Sequence, residues 1–207
     1  MINTIYIAFD DADGDLGHFF QACADTIRQI AFDNGLSYEW LDSNKLTKSD
    51  INHFTEDAGI YLFAAFSHGS ENALWGSGEA YIEANNNLKN FYNSVLLTFA
   101  CLAARGFQHE LESTSIPAYF GYREEVWAST HPDIEDVFVK CAIKGVESFI
   151  MGNTIEVARK DTIIEYDKHI NECRKKWGYN NPISAALLKN KQALVTMINN
   201  DNKTINE

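Results

Sequence analysis

Apolar residues recur along this chain with two different periods, and the switching between them predicts its elements. Residues 4–9 (TIYIAF) form a short apolar, β-branched run that stops abruptly at Asp10-Asp11, as a buried strand does. The period then lengthens. Leu16, Phe19, Phe20, Cys23, Ile27, Ile30 and Ala31 recur every three or four residues, which makes one helical face apolar, with Gly35 as its stop. Residues 36–42 (LSYEWLD) predict a second, shorter strand near a sheet edge, and Thr47 to Asp57 a short helix with Ile51 and Phe54 inward. The run 60–66 (IYLFAAF) is apolar on both faces, the signature of a central parallel strand covered by helices on each side.

Glycines between aromatic residues in 73–83 (ALWGSGEAYIE) predict a small hairpin, and polar residues 85–93 lead into a strand at 95–100 (VLLTFA). A helix follows Cys101, with Gly106 as a candidate break, and 116–122 (IPAYFGY) reads as another strand. His131-Pro132-Asp133 is expected to open the next helix, with Pro at its permitted first position. Asn153 and Glu156 have the spacing of a capping box, ahead of final helices at 155–177 and 183–199. Strands alternating with long crossovers predict an α/β fold, a three-layer sandwich with a mostly parallel central sheet and helices on both faces. We expect residues 1–200 to form one domain and 201–207 a polar tail.

Composition narrows the function classes. With 29 acidic and 17 basic residues the formal charge is −12, and no Lys/Arg stripe interrupts it, so nucleic acid is not the expected partner. The longest apolar run, VLLTFACLAA, is about half of what a bilayer requires, and MINTIYIAFDD, without a basic region or cleavage site, is not expected to act as a secretory leader. No membrane, no cofactor and no metal are expected, and a cytoplasmic setting fits best. Cys23, Cys141 and Cys173 lie in helical stretches and read as buried reduced thiols.

Two apolar strands each end in a residue capable of chemistry: the first in Ser67-His68-Gly69, the second in Cys101. If the strands are parallel neighbours, an imidazole stands beside a thiol. A cysteine nucleophile needs a base for its proton and donors for the developing oxyanion. Cys101 at the start of a helix would have its thiolate favoured by the oriented N–H groups there, and Gly69 would let a carbonyl approach the backbone. Taken singly, each residue has a structural reading as a buried small side chain or a satisfied polar one.

The pieces IYLFAAFSHGS and SVLLTFACLAARG resemble the caspase-like cysteine peptidases, the group that includes metacaspases, gingipains, separase and the bacterial CHAT-domain proteases. PAYFGYREEVWAS and FIMGNTIEVARKD look most like the bacterial members. The resemblance implies His68 as general base, Cys101 as nucleophile, and the backbone N–H groups of Gly69 and Cys101 as the oxyanion hole. It implies a protein substrate, and for small bacterial members a role as effector or defence protease with a regulatory or activating partner. Phe99-Ala100 before the cysteine departs from both the Gln-Ala of animal caspases and the acidic pair of metacaspases. No third, orienting residue is assigned.

In this group the loop after the first strand helps line the substrate pocket. Here Asp10, Asp11, Asp13 and Asp15 put four carboxylates into six residues, and Glu124, Glu125 and Trp127 follow the fifth strand. If one or two carboxylates face the pocket, the residue before the scissile bond is Lys or Arg. The alternatives are that they cap the next helix, or that Arg123 reaches an acidic substrate residue. Two rival enzyme classes share the acidic loop. Asp11-Ala12-Asp13-Gly14-Asp15-Leu16 approaches the phosphatase motif D-x-D-G-T-L of haloacid dehalogenases, but Asp15 replaces the Thr and no later acidic pair follows a Lys. A receiver domain would need an Asp where Ser67-His68 stands and a Lys where Tyr122-Arg123 stands. A non-catalytic caspase-like binding module is the remaining alternative.

Overall fold

A computed structural model describes residues 2, 4–56, 59–76, 78–113 and 116–198. Its centre is a six-stranded sheet of β1 (Thr4–Phe9), β2 (Ser37–Leu41), β3 (Tyr61–Phe66), β7 (Ser94–Phe99), β8 (Ala118–Tyr122) and β9 (Leu194–Ile198), in the order β2-β1-β3-β7-β8-β9. All neighbours are parallel except β8 and β9. A second, antiparallel sheet joins β4 (His68–Ser70), β5 (Ala73–Gly76) and β6 (Glu79–Glu83), which is the expected hairpin extended by one short strand.

Side chains alternate across the strands and fill two separate cores. Ile5, Ile7, Leu62, Ala64, Val95, Leu97 and Phe120 face one layer, built from α1 (Gly17–Asp33), α4 (Glu135–Ile150), α5 (Ile155–Trp177) and α6 (Pro182–Ala193). Ala8, Tyr61, Phe63, Ala65, Leu96 and Tyr119 face the other, built from α2 (Lys48–Glu56), α3 (Ala103–Ser113) and the small sheet. The three-layer α/β sandwich is therefore observed, and β2 lies at an edge as its polar pattern required. Among the described residues no helix is long and apolar enough to cross a membrane.

Four local expectations change. The final helix ends at Ala193, and LVTMI continues as β9, antiparallel to β8 with Tyr122 opposite Leu194 and Ala118 opposite Ile198. Its β-branched residues find a strand edge there, and pairing outweighs the helical continuation that periodicity had favoured. Gly106 does not break α3. A Cβ at this position would stand 1.8 Å from the Glu71 carbonyl oxygen, so the glycine lets the helix pass close under the β4–β5 turn. The capping residue of α5 is Thr154, whose hydroxyl accepts the Val157 N–H at 3.3 Å, while Asn153 donates to Ser148. The helix after Pro132 begins at Glu135, behind a turn in which His131 Nδ1 accepts the Asp133 N–H at 3.3 Å.

The chain leaves β1 for β2 on one side and places β3 on the other, so the sheet has its switch point between β1 and β3. Loops leaving the carboxyl ends there diverge and open a crevice, the usual place for a site in such sheets. Asp13 follows β1 and His68 follows β3.

Candidate active site

β3 and β7 pair in parallel with Phe66 opposite Phe99, and the ladder extends one residue further through Ser67 N–H donating to Phe99 O at 3.4 Å. His68 and Cys101 therefore leave neighbouring strand ends. Between them lies Gly69. A Cβ there would stand 2.4 Å from Cys101 O, 2.9 Å from Ala100 Cβ and 3.1 Å from Cys101 N, so the Gly69 backbone rests against the Cys101 peptide and only hydrogen fits. The two N–H-bearing backbones named from the resemblance are thus packed together.

On one side, the His68 imidazole is about half exposed, with its Nε2 3.0 Å from Asp13 Oδ2 and the Phe20 ring perpendicular to it at 5.6 Å. Asp13 Oδ1 accepts the Leu16 N–H at 2.6 Å and the Asp15 N–H at 3.0 Å, at the entry to α1. Partial burial pushes the Asp13 carboxyl up, but these amides and His68 together outweigh it and hold the group below the usual carboxylate value. A cavity of about 530 Å³ opens beside it, lined by Asp10, Asp13, Gly14, His68 and Trp75 among others.

Asp10 and Asp11 of the acidic loop are engaged by Ser43. Asp10 is only 4% exposed and accepts from Ser43 Oγ at 3.0 Å. Asp11 Oδ1 accepts both the Ser43 N–H (2.9 Å) and its hydroxyl (2.5 Å), and these bonds overcome partial burial to lower its carboxyl. The two carboxylates that the phosphatase reading would need are therefore spent, one on Ser43 and the other on His68.

On the other side, Cys101 is partly buried. Sγ accepts the Val126 N–H at 3.3 Å, and the thiol, a weak donor, faces Val126 O at 3.7 Å. Burial pushes the thiol up, the Val126 amide pulls it down, and Glu125 pushes it up again; the net shift is upward. The expectation of a thiolate favoured by helix N–H groups is overturned. α3 starts two residues further on, after Leu102 in the left-handed region at φ 63°, and the Leu102 N–H is taken by Glu124 O at 3.2 Å. A cavity of about 370 Å³ reaches the sulfur past Gly69, Leu102, Glu125, Val126 and Trp127.

Arg105 ties this side together. From α3 it donates to Arg123 O at 2.7 Å, to Glu71 Oε1 at 3.0 Å, and to Glu124. Glu124 is thus committed to Arg105, whereas Glu125 and Trp127 stay exposed beside the thiol. A third cavity, about 540 Å³, continues from Leu102 and Trp127 to Arg123 and Lys189, whose ammonium lies 5.4 Å from the Trp127 ring centre. Nothing in the sequence marks Arg105, because its partners come from two distant loops. Asp13 was visible in the acidic loop as a pocket residue, but its pairing with His68 depends on the adjacency of β1 and β3. The three other cysteines are free and buried, as expected.

No protein-family model and no curated protein matches the sequence. Among solved structures the chain is similar to caspase-1 from Spodoptera frugiperda, with a TM-score of 0.56 and 14% identity over 95% of this chain and 85% of that one. It is similar to a structure of pro-sf-caspase-1 as well, with a TM-score of 0.55 and 14% identity over 95% and 90%. At this identity the likeness is one of architecture, and the protein has a caspase-like fold.

Proposed function

We propose that the chain is a cysteine endopeptidase of caspase-like type, with Cys101 as nucleophile and His68 as general base. The observation that carries the reading is the packing of Gly69 against the Cys101 peptide, which joins the histidine and cysteine strands at the point where a substrate carbonyl would sit. The resting sulfur is a thiol, so its proton passes to His68 as the sulfur attacks the carbonyl carbon. The oxyanion collects on the Gly69 and Cys101 N–H groups. His68 then returns the proton to the leaving amine, and water, deprotonated by the same ring, hydrolyses the thioester.

A preference for Lys or Arg before the scissile bond is supported by the negative charge around the cavity beside His68, whose lining includes Asp10, Asp13 and the exposed Trp75, although Asp10 is bonded to Ser43 and Asp13 to His68. Glu125, next to the thiol, adds to the same sign. Residues 1–200 as one peptidase domain, a protein substrate, a regulatory or activating protein partner, a bacterial effector or defence role of CHAT type and a cytoplasmic setting belong to the same proposal and rest on the resemblance. The test is a panel of peptidyl acyloxymethyl ketones differing in the residue next to the reactive group. Wild type should be labelled at Cys101, fastest by Lys or Arg probes, and Cys101→Ala not at all. Labelling indifferent to His68→Ala would remove the base from the mechanism, and fastest labelling by Asp probes would shift the pocket to Arg123.

A further inference from the structure

We propose that Asp13 is the positioning residue for His68, holding the imidazole in the tautomer that leaves Nδ1 free to act as the base. The inference rests on the peptidase reading for its catalytic meaning, but its structural content stands apart from it. An ionised carboxylate only accepts hydrogen bonds. Since Asp13 Oδ2 lies 3.0 Å from His68 Nε2, the ring proton sits on Nε2 and the lone pair of the neutral ring on Nδ1.

Asp13 is itself held. Its other oxygen accepts the Leu16 and Asp15 amides at 2.6 and 3.0 Å, which fixes the carboxylate plane at the start of α1. Phe20, three residues into that helix, sets its ring perpendicular to the imidazole. The arrangement follows from topology: β1 and β3 pair with Phe9 opposite Phe66, so the loops that continue them run side by side. Asp10 shares the cavity with His68, but it is buried and accepts from Ser43, which leaves Asp13 as the carboxylate in hydrogen-bond contact with the ring. When the Cys101 S–H bond breaks and an N–H bond forms at Nδ1, the imidazolium has its counter-charge already in place.

Asp13→Asn tests this sharply. The introduced side-chain oxygen is required by the two backbone amides, so its NH₂ group faces Nε2 and donates to it. The ring proton must then move to Nδ1, and the nitrogen that serves as base is lost. The readout is the pair of imidazole ¹⁵N shifts of His68, measured at alkaline pH in selectively labelled protein. We expect the Nε2–H form in wild type, the Nδ1–H form in Asp13→Asn and a mixture in Asp13→Ala. On the best peptide from the panel, kcat of Asp13→Asn should fall by ~10²–10⁴-fold with KM little changed. An Nε2–H ring in Asp13→Asn, or activity equal to wild type, overturns the assignment. If wild type cleaves no peptide, the peptidase reading fails while the ¹⁵N shifts still decide the role of Asp13.

Discussion

His68 stands half exposed with one ring nitrogen on a carboxylate, whereas Cys101, one strand away, buries its sulfur against the backbone of Val126. The histidine side is assembled from parts that hold one another: Asp13 is fixed by two amides, and the ring lies against Phe20. The cysteine side is held by a loop. Residues 123–127 supply the N–H on the sulfur, the carboxylate that disfavours its ionisation and, through Arg123 and Glu124, two of the three partners of Arg105. The proposed base is organised in the resting chain; the proposed nucleophile is restrained. A proton acceptor costs little to expose, because a neutral imidazole is inert. A free thiolate is oxidised or alkylated wherever it meets an electrophile, so under the peptidase proposal a thiol kept protonated until substrate arrives avoids that chemistry.

The strongest way to break this comparison is to force its two sides apart. Gly69→Ala puts a methyl group 2.4 Å from Cys101 O. Activity should fall by at least ~10²-fold, since a displacement of about 1 Å at a reacting centre has that effect. Stability should fall by about 1–3 kcal/mol through overpacking. Kinetics and denaturant titration on the same preparation separate the two, and wild-type turnover would mean that the contact does not align the site.

A second measurement asks whether Cys101 is the restrained partner. Its thiol is raised in the folded chain, by burial first and by Glu125 in addition. The iodoacetamide rate at Cys101 should therefore keep climbing through and beyond the ordinary thiol value of about 8.5 instead of levelling near neutrality. Glu125→Gln should move the profile part of the way to lower pH, because burial remains. The linkage has a definite sign. The fold favours the protonated thiol, so this stabilisation is complete below the unfolded thiol value and is lost as pH rises through the folded one. A rate already flat at pH 7 would reveal a preformed ion pair with His68.

The smallest effect is expected from the restraint itself. Arg105→Met removes the ties to Glu71, Glu124 and Arg123 O while keeping a long side chain on α3. Alkylation of Cys101 at fixed pH should rise several-fold and not by orders of magnitude, because exposed ion pairs contribute little. An unchanged rate would assign the cover over the sulfur to the Val126 hydrogen bonds alone.

Much of this was legible in the linear chain. The runs 4–9, 60–66 and 95–100 announce strands covered on both faces, because a sheet buried on two sides admits no polar alternation. Asp10-Asp11, His68 and Cys101 announce strand ends, because a residue capable of chemistry there interrupts the apolar run. What the one-dimensional pattern could not carry are relations between elements. LVTMI became β9 because β8 offered an unpaired edge. Gly106 stayed helical because Glu71 crosses α3 there.

The same division runs through the candidate site. Residue types and their places at strand ends, His68 and Cys101 above all, were determined by the sequence alone, since hydrophobic periodicity and its interruption are local properties. The partners were decided by the tertiary structure. The pairing of β1 with β3 made Asp13 a partner of His68, and the packing of 123–127 against the residue after β7 made Cys101 a partly buried thiol. Charge and burial act over a few ångströms of space, and the groups they join here lie 55 and 25 residues apart along the chain.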